Sequence, residues 1–194
     1  MKWHVIEKKT DELMQDLKKN RLDVGIMATP LEDINLFEQP VYYEEMMMYL
    51  DHESSEMMPL EIDKVLDSNQ IWLLSEGHCF RSQVLALCEK KYHNNTALQF
   101  EAGSIETLMK MVDKGGGCTI IPEMCFIAMD AEQQKKVKKI AAEPQREISI
   151  VSHRGYEKEL ITNILKVEIE SNVELARFNP ERRKRKNLVP KLKK

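Results

Sequence analysis

The stretch from Ser104 to Pro122 leaves a folding chain little choice. Ser104 to Val112 carries a helical pattern with Ser104 as its cap and Thr107 near the first turn. Gly115-Gly116-Gly117 then forces a turn, Cys118-Thr119-Ile120-Ile121 is an apolar run suited to a buried strand, and Pro122 ends it. The same grammar stands just upstream. Ile71 to Leu74 reads as an apolar strand that runs into the Gly77-His78 turn, a helix with apolar Val84, Leu85 and Leu87 follows, and Leu98 to Glu101 reads as the next strand. Helix and strand alternate, which predicts an α/β fold.

The rest of the chain extends that reading. Lys2 to Glu7 reads as a strand, the following helix carries Leu13, Met14 and Leu17 on one face, and Arg21 to Met27 reads as a short buried strand. A strand-helix-strand unit of this kind predicts parallel pairing. Glu38 to Leu50 reads as a long strand, or two, crossing to a new region. Val137 to Ala141 and Arg146 to Val151 are further strands, and a final helix covers Glu157 to about Ala176. At 194 residues the chain can bury a sizeable core, either as one large domain or as two small lobes, and the strand order favours two lobes.

Composition excludes several classes of function. No apolar run approaches the ~20 residues needed to span a bilayer. The N-terminus MKWHVIEKKT lacks the apolar segment of a secretory signal, so the chain reads as cytoplasmic with no membrane partner. Glu181 to Lys194 carries eight basic residues and one acidic, +7, so the remainder holds −10 of the overall −3. An acidic body of this kind is no nucleic-acid surface, and the basic tail, residues 179–194, reads as disordered. No metal or cofactor is expected. Neither CxxC, HxxxH nor HExxH occurs, His4, His52, His93 and His153 have no ligand spacing, and Gly115 to Gly117 lacks the Lys-Ser/Thr of a phosphate loop. Cys118 and Cys125 flank a strand and read as packing residues, as do Met46, Met47 and Met48.

Cys79 and Cys88 are chemically unequal. Cys79 lies between His78 and Arg81 at the start of a helix, where a thiol ionises easily, whereas Cys88 follows Val84-Leu85-Ala86-Leu87 on an apolar face. The inequality suits an attacking thiol and a resolving partner. The plainer alternative is two small core residues. Nine helical steps at about 1.5 Å each separate the two Cα atoms by about 13 Å, while a disulfide needs them within roughly 7 Å. Were the two to bond, the helix between them would have to come apart.

Three segments, GHCFRSQVLALC, AGSIETLMKMVDKGGGCTIIP and LKKNRLDVGIM, resemble the regulatory domain of LysR-type transcriptional regulators. Within that family, the GHC-[LF]-R turn with a second cysteine at this spacing resembles the hydrogen-peroxide sensors. The resemblance, over residues 2 to about 176, implies a two-lobed α/β domain like that of periplasmic binding proteins, with two crossover hinge strands. Residues 1–43 and 146–178 would form one lobe and residues 44–145 the other, with the crossovers at Phe37 to Met47 and Arg146 to Val151. It further implies that Cys79 is the peroxide-reactive cysteine and Cys88 its disulfide partner, with Thr10, His78, Arg81 and Arg146 on the peroxide-pocket positions. Ser82 stands where such sensors carry an aspartate, and Gln99 where they carry a histidine.

The family's winged helix-turn-helix domain and the first strand and helix of its first lobe have no counterpart in this chain. Promoter DNA is therefore expected to be bound through a domain absent from it. The other implied partners are a second copy in a homodimer or tetramer, RNA polymerase, and a thiol reductant such as glutaredoxin or thioredoxin. The resemblance implies a regulator and not an enzyme. The alternative within the family is a domain that binds a small organic effector between its lobes.

Overall fold

The computed structural model describes residues 2–52, 59–62, 64–65, 70–75, 78–87, 101–156 and 159–172. Helix α1 (Thr10–Lys18) leads into strands β1 (Gly25–Thr29), β2 (Leu36–Leu50) and β3 (Leu73–Leu74). Helix α2 (Cys79–Leu87), strand β4 (Glu101–Ala102), helix α3 (Ile105–Gly115) and strand β5 (Cys118–Pro122) follow. Short helices α4 (Glu123–Ala128) and α5 (Ala131–Lys135), strands β6 (Val137–Lys139) and β7 (Gln145–His153), and helix α6 (Glu159–Asn172) complete the described order.

Strand β2 connects two cores. Its first part pairs antiparallel with β7, from Leu36 opposite His153 to Glu45 opposite Gln145. Its last residues change partner and pair antiparallel with β5, from Met46 opposite Pro122 to Leu50 opposite Cys118, with β6 also pairing along Met47–Tyr49. β1 lies on the far side of β7, antiparallel to it. The register of β2 on β7 slips between Pro40 and Tyr42, where proline has no N–H to give the ladder.

Each end of β2 has its own apolar cluster. One gathers Met46 to Leu50 with Trp72, Phe80, Val84, Leu108, Val112, Cys118 and Ile121, and the other holds Met14, Leu17, Met27, Leu31, Leu36 and Val151. The result is the two-lobed α/β architecture expected, with β2 and β7 as the strands that cross between lobes. α1 joins the smaller cluster through Met14 and Leu17. It is fixed in place by buried Asp16, which takes a 2.7 Å ion pair from Lys8 and a 2.8 Å hydrogen bond from the Arg21 Nε. These two partners hold the Asp16 carboxyl below its usual range.

Several expectations need correction. Residues 2–9 form no strand, because nothing covers them: residues 2–8 are exposed and Val5 is 88% accessible. The first parallel unit therefore does not exist. The strand read at Arg21 to Met27 lies instead at Gly25–Thr29, and its ladder is antiparallel to β7. Parallel pairing does occur in the second lobe, where β3 runs beside β4 and Ile71 bridges to Cys118. Glu38 to Leu50 is one strand, begun at Leu36. The final helix is described from Glu159 to Asn172. Residues 98–100 and 179–194 lie outside the described residues.

The segment from Ser104 to Pro122 folds as its sequence predicts. Ser104 accepts a 3.2 Å hydrogen bond from the Thr107 amide and caps α3. After α3, Gly116 and Gly117 take φ values of 75° and 88°, in the left-handed region. The Gly116 carbonyl accepts the Trp72 indole N–H at 2.8 Å, and the Gly117 amide donates to Asp51 at 3.2 Å. A Cβ on Gly117 would be driven into the backbone carbonyl of Gln70, which itself accepts from the Cys118 amide at 2.8 Å. Gly117→Ala should therefore cost about 2 kcal/mol or more. A thermal melt should show Tm lowered by about 5 °C or more; an unchanged Tm would contradict this packing.

Candidate functional site

Cys79 is the first residue of α2, and its thiol is free and partly accessible. The helix is amphipathic in a way that sets the cysteine's surroundings. Phe80, Gln83 and Val84, at one-turn spacing, are buried against the second-lobe core, while Cys79, Arg81 and Ser82 are only half-covered. The amides of a helix's first turn have no intrahelical acceptor, and the peptide dipoles point their positive end there.

Arg81 bends back onto the strand before the turn, with its Nη1 donating to the Leu74 carbonyl at 2.6 Å. Its amide also donates to the His78 carbonyl at 3.1 Å. His78 is half-buried. Burial pushes its imidazole below the usual 6.5, the positive charge of Lys9 acts in the same direction, and Glu7 opposes both. The segment before α1 is thus within electrostatic reach of the segment before α2. Thr10, buried at the start of α1, adjoins it directly.

Arg146 stands on β7 and extends to α2. Its guanidinium carbon lies 4.8 Å from the centroid of the Phe80 ring, a cation–π distance, and Phe80 is the residue next to Cys79. The guanidinium is paired with Glu44 across the β2–β7 ladder: Nε and Nη2 both lie 2.6 Å from Oε1. Glu44 is 1% exposed, and its second oxygen accepts from the Met124 amide at 3.3 Å. Arg146 thus contacts Phe80, and Phe80, Cys79 and His78 are consecutive at the start of α2. Arg81 follows with its side chain committed to Leu74, and Thr10 is the chain neighbour of Lys9. Cys88 and Gln99 lie outside the described residues.

The other cysteines pack. Cys118 is fully buried in the second-lobe core. Cys125 is covered by the same core, and burial pushes its thiol up to about 11, with Glu44 adding to the rise and Arg146 opposing it. At neutral pH it is a protonated thiol. Met46, Met47 and Met48 are likewise core residues. Among the described residues, no group of three or more His, Cys, Asp or Glu could hold a metal ion. Glu44 and Phe80 were not singled out in the sequence, although a charged Glu44-Glu45 pair inside the run VYYEEMMMYL was a visible signal.

The electrostatics around His78 have a direct test. Its NMR titration midpoint should fall below 6.5, Lys9→Ala should move it upward because a positive neighbour no longer opposes protonation, and Glu7→Ala should move it downward. A midpoint above 6.5 that ignores both changes would show that residues 7–9 do not approach His78.

Comparison with known proteins identifies the family. The "LysR substrate binding domain" family matches residues 1–164. A "Hydrogen peroxide-inducible genes activator" of Haemophilus influenzae is 31% identical over 154 residues, which cover 77% of this chain and 50% of that protein. The "DNA-binding transcriptional dual regulator OxyR" of Escherichia coli is 29% identical over 163 residues, covering 80% of this chain and 51% of the relative. A crystal structure of an OxyR mutant from Porphyromonas gingivalis superposes with a TM-score of 0.78 at 26% identity, covering 90% of this chain and 80% of that one. The chain spans about half the length of the curated relatives it matches. It is similar to regulators of the OxyR type, and it belongs to the LysR substrate-binding domain family.

Proposed function

We propose that this chain is the sensing part of a hydrogen-peroxide-responsive LysR-type regulator, with Cys79 as the reactive thiol and Cys88 as its resolving partner. One observation carries the reading: Cys79 opens a helix with its thiol free and partly accessible, where the peptide dipoles favour a thiolate, and its chain neighbour Phe80 lies 4.8 Å from the Arg146 guanidinium. The peroxide-inducible relatives support it independently. In the reaction the Cys79 thiolate forms an S–O bond to one peroxide oxygen while the O–O bond breaks. Sulfur is oxidised, peroxide is reduced, and the departing hydroxide takes a proton to become water. Negative charge grows on that leaving oxygen, and an arginine held in place stabilises it without having to reorganise. His78, held neutral at pH 7 by burial and by Lys9, provides one N–H donor and one acceptor and adds no charge. Arg81 braces the turn, and Thr10 adds a hydroxyl from the first lobe.

The Cys79 sulfenic acid then condenses with the Cys88 thiol, forming S–S and releasing water. A dithiol reductant such as glutaredoxin or thioredoxin reverses the step by supplying two electrons and two protons. Residues 1–43 with 146–178 form one lobe in this reading and residues 44–145 the other, so a change at α2 acts on the lobe opposite α1. The output passes through a homodimer or tetramer to promoter DNA, held by a DNA-binding domain outside this chain, and to RNA polymerase. The setting is the cytoplasm, whose reductants reset the thiols, and the chain acts as a regulator and not an enzyme.

Intact-mass analysis after one equivalent of peroxide tests the reading. A loss of two hydrogens is expected in the wild type and in Cys118→Ser and Cys125→Ser, and it should vanish in both Cys79→Ser and Cys88→Ser. An unchanged wild-type mass would overturn the proposal and turn attention to a small organic effector between the lobes.

A further inference from the structure

The geometry points to Glu44 as the positioning residue of the sensing site: it holds the Arg146 guanidinium against Phe80, the chain neighbour of Cys79, and so in one place relative to the start of α2. The inference rests on the reading of Cys79 as a peroxide-reactive thiol.

A carboxylate buried to 1% exposure inside an apolar strand is costly unless it is fully paired. Glu44 is paired at both oxygens. Oε1 takes Nε and Nη2 of Arg146 at 2.6 Å, and Oε2 takes the backbone amide of Met124 at 3.3 Å. The amide matters because it belongs to the backbone of α4, so the carboxylate is anchored to something that does not rotate. Guanidinium groups carry five N–H donors in a rigid fork. With the Nε side committed to Glu44 and the guanidinium carbon 4.8 Å from the Phe80 ring centroid, the fork is held from two sides. Among the described residues its remaining Nη1 donors have no partner, which leaves them for a ligand. Glu44 also sits where β2 exchanges β7 for β5, opposite Arg146 in register. The pair thus ties both crossover strands to the helix that begins with Cys79.

Charge and position make opposite predictions. Were Glu44 merely an offset to Arg146, its removal would strengthen the positive field at Cys79 and speed every reaction of the thiolate. Were it a positioning residue, its removal would free the guanidinium and slow only the reaction that needs a stabilised leaving oxygen. Oxidation by peroxide, in which the Sγ–O bond forms as O–O breaks and hydroxide departs, needs that oxygen held. Alkylation by iodoacetamide, in which the thiolate displaces iodide, does not.

The experiment compares both second-order rates at Cys79 for the wild type, Glu44→Ala, Glu44→Gln and Arg146→Ala, with Tm measured for each, in a Cys118→Ser/Cys125→Ser background. Misplacing a reacting group by about 1 Å can cost about a hundredfold, so Glu44→Ala should lower the peroxide rate about tenfold or more and leave alkylation within about twofold. Glu44→Gln keeps an acceptor for Arg146 but cannot also accept from Met124, so it should give a smaller loss in the same direction; it carries the test if the alanine variant does not fold. In the Arg146→Ala background, either Glu44 change should add nothing further. A peroxide rate that holds or rises, a parallel fall in both rates, or independent losses at the two positions would each overturn the inference. A wild type that reacts with peroxide no faster than free cysteine would instead overturn the reading of the site.

Discussion

One unbroken strand has to satisfy two sheets at once. β2 pairs with β7 as far as Glu45 and with β5 from Met46, so the same strand contributes to the sheet of each lobe. The side chains follow the same division. Leu36 enters the first cluster and Met46 to Leu50 enter the second. At the changeover the chain places two acids, Glu44 and Glu45, where apolar residues would be cheapest to bury. Each acid has a cation within reach, Arg146 for the first and Lys139, at 3.1 Å, for the second. The buried charge is tolerated because its partners are supplied by the strands the changeover brings together.

Local signals in the sequence were legible where the local chemistry decides the outcome. The Ser104 cap, the glycine turn and the strand closed by Pro122 form as written because capping, left-handed backbone and a missing N–H act within a few residues. The long strand of β2 and the return strand β7 could be read from their apolar runs. Pairing direction in the first lobe could not, since it depends on which strand is available as a neighbour. Lys2 to Glu7 has an alternating pattern in Trp3, Val5 and their polar neighbours, but a pattern makes a strand only against a sheet, and these residues meet none.

The candidate site divides along the same line. Cys79, His78 and Arg81 share one turn, and their proximity could be read directly. Arg146 and Thr10 enter only through family resemblance; what the structure shows is their neighbourhood, with Arg146 over Phe80 and Lys9, next to Thr10, acting on His78. Glu44 escaped because its role is tertiary. A glutamate on a strand reads as a solvated residue until the arginine opposite it, more than a hundred positions later, is known to be its partner.

The slip in register at Pro40 has a mechanical side. From Pro40 to Leu50 the strand is an arm of about 30 Å, at about 3.3 Å per residue. A hydrogen-bond ladder resists shortening far more than it resists bending at a point where one bond is missing. A change of about 5° in the bend there would carry the far end of the arm through about 3 Å at that rise. That is close to the spacing of one residue, so an adjustment at a single proline is magnified into a displacement that a neighbouring surface would register as a whole step.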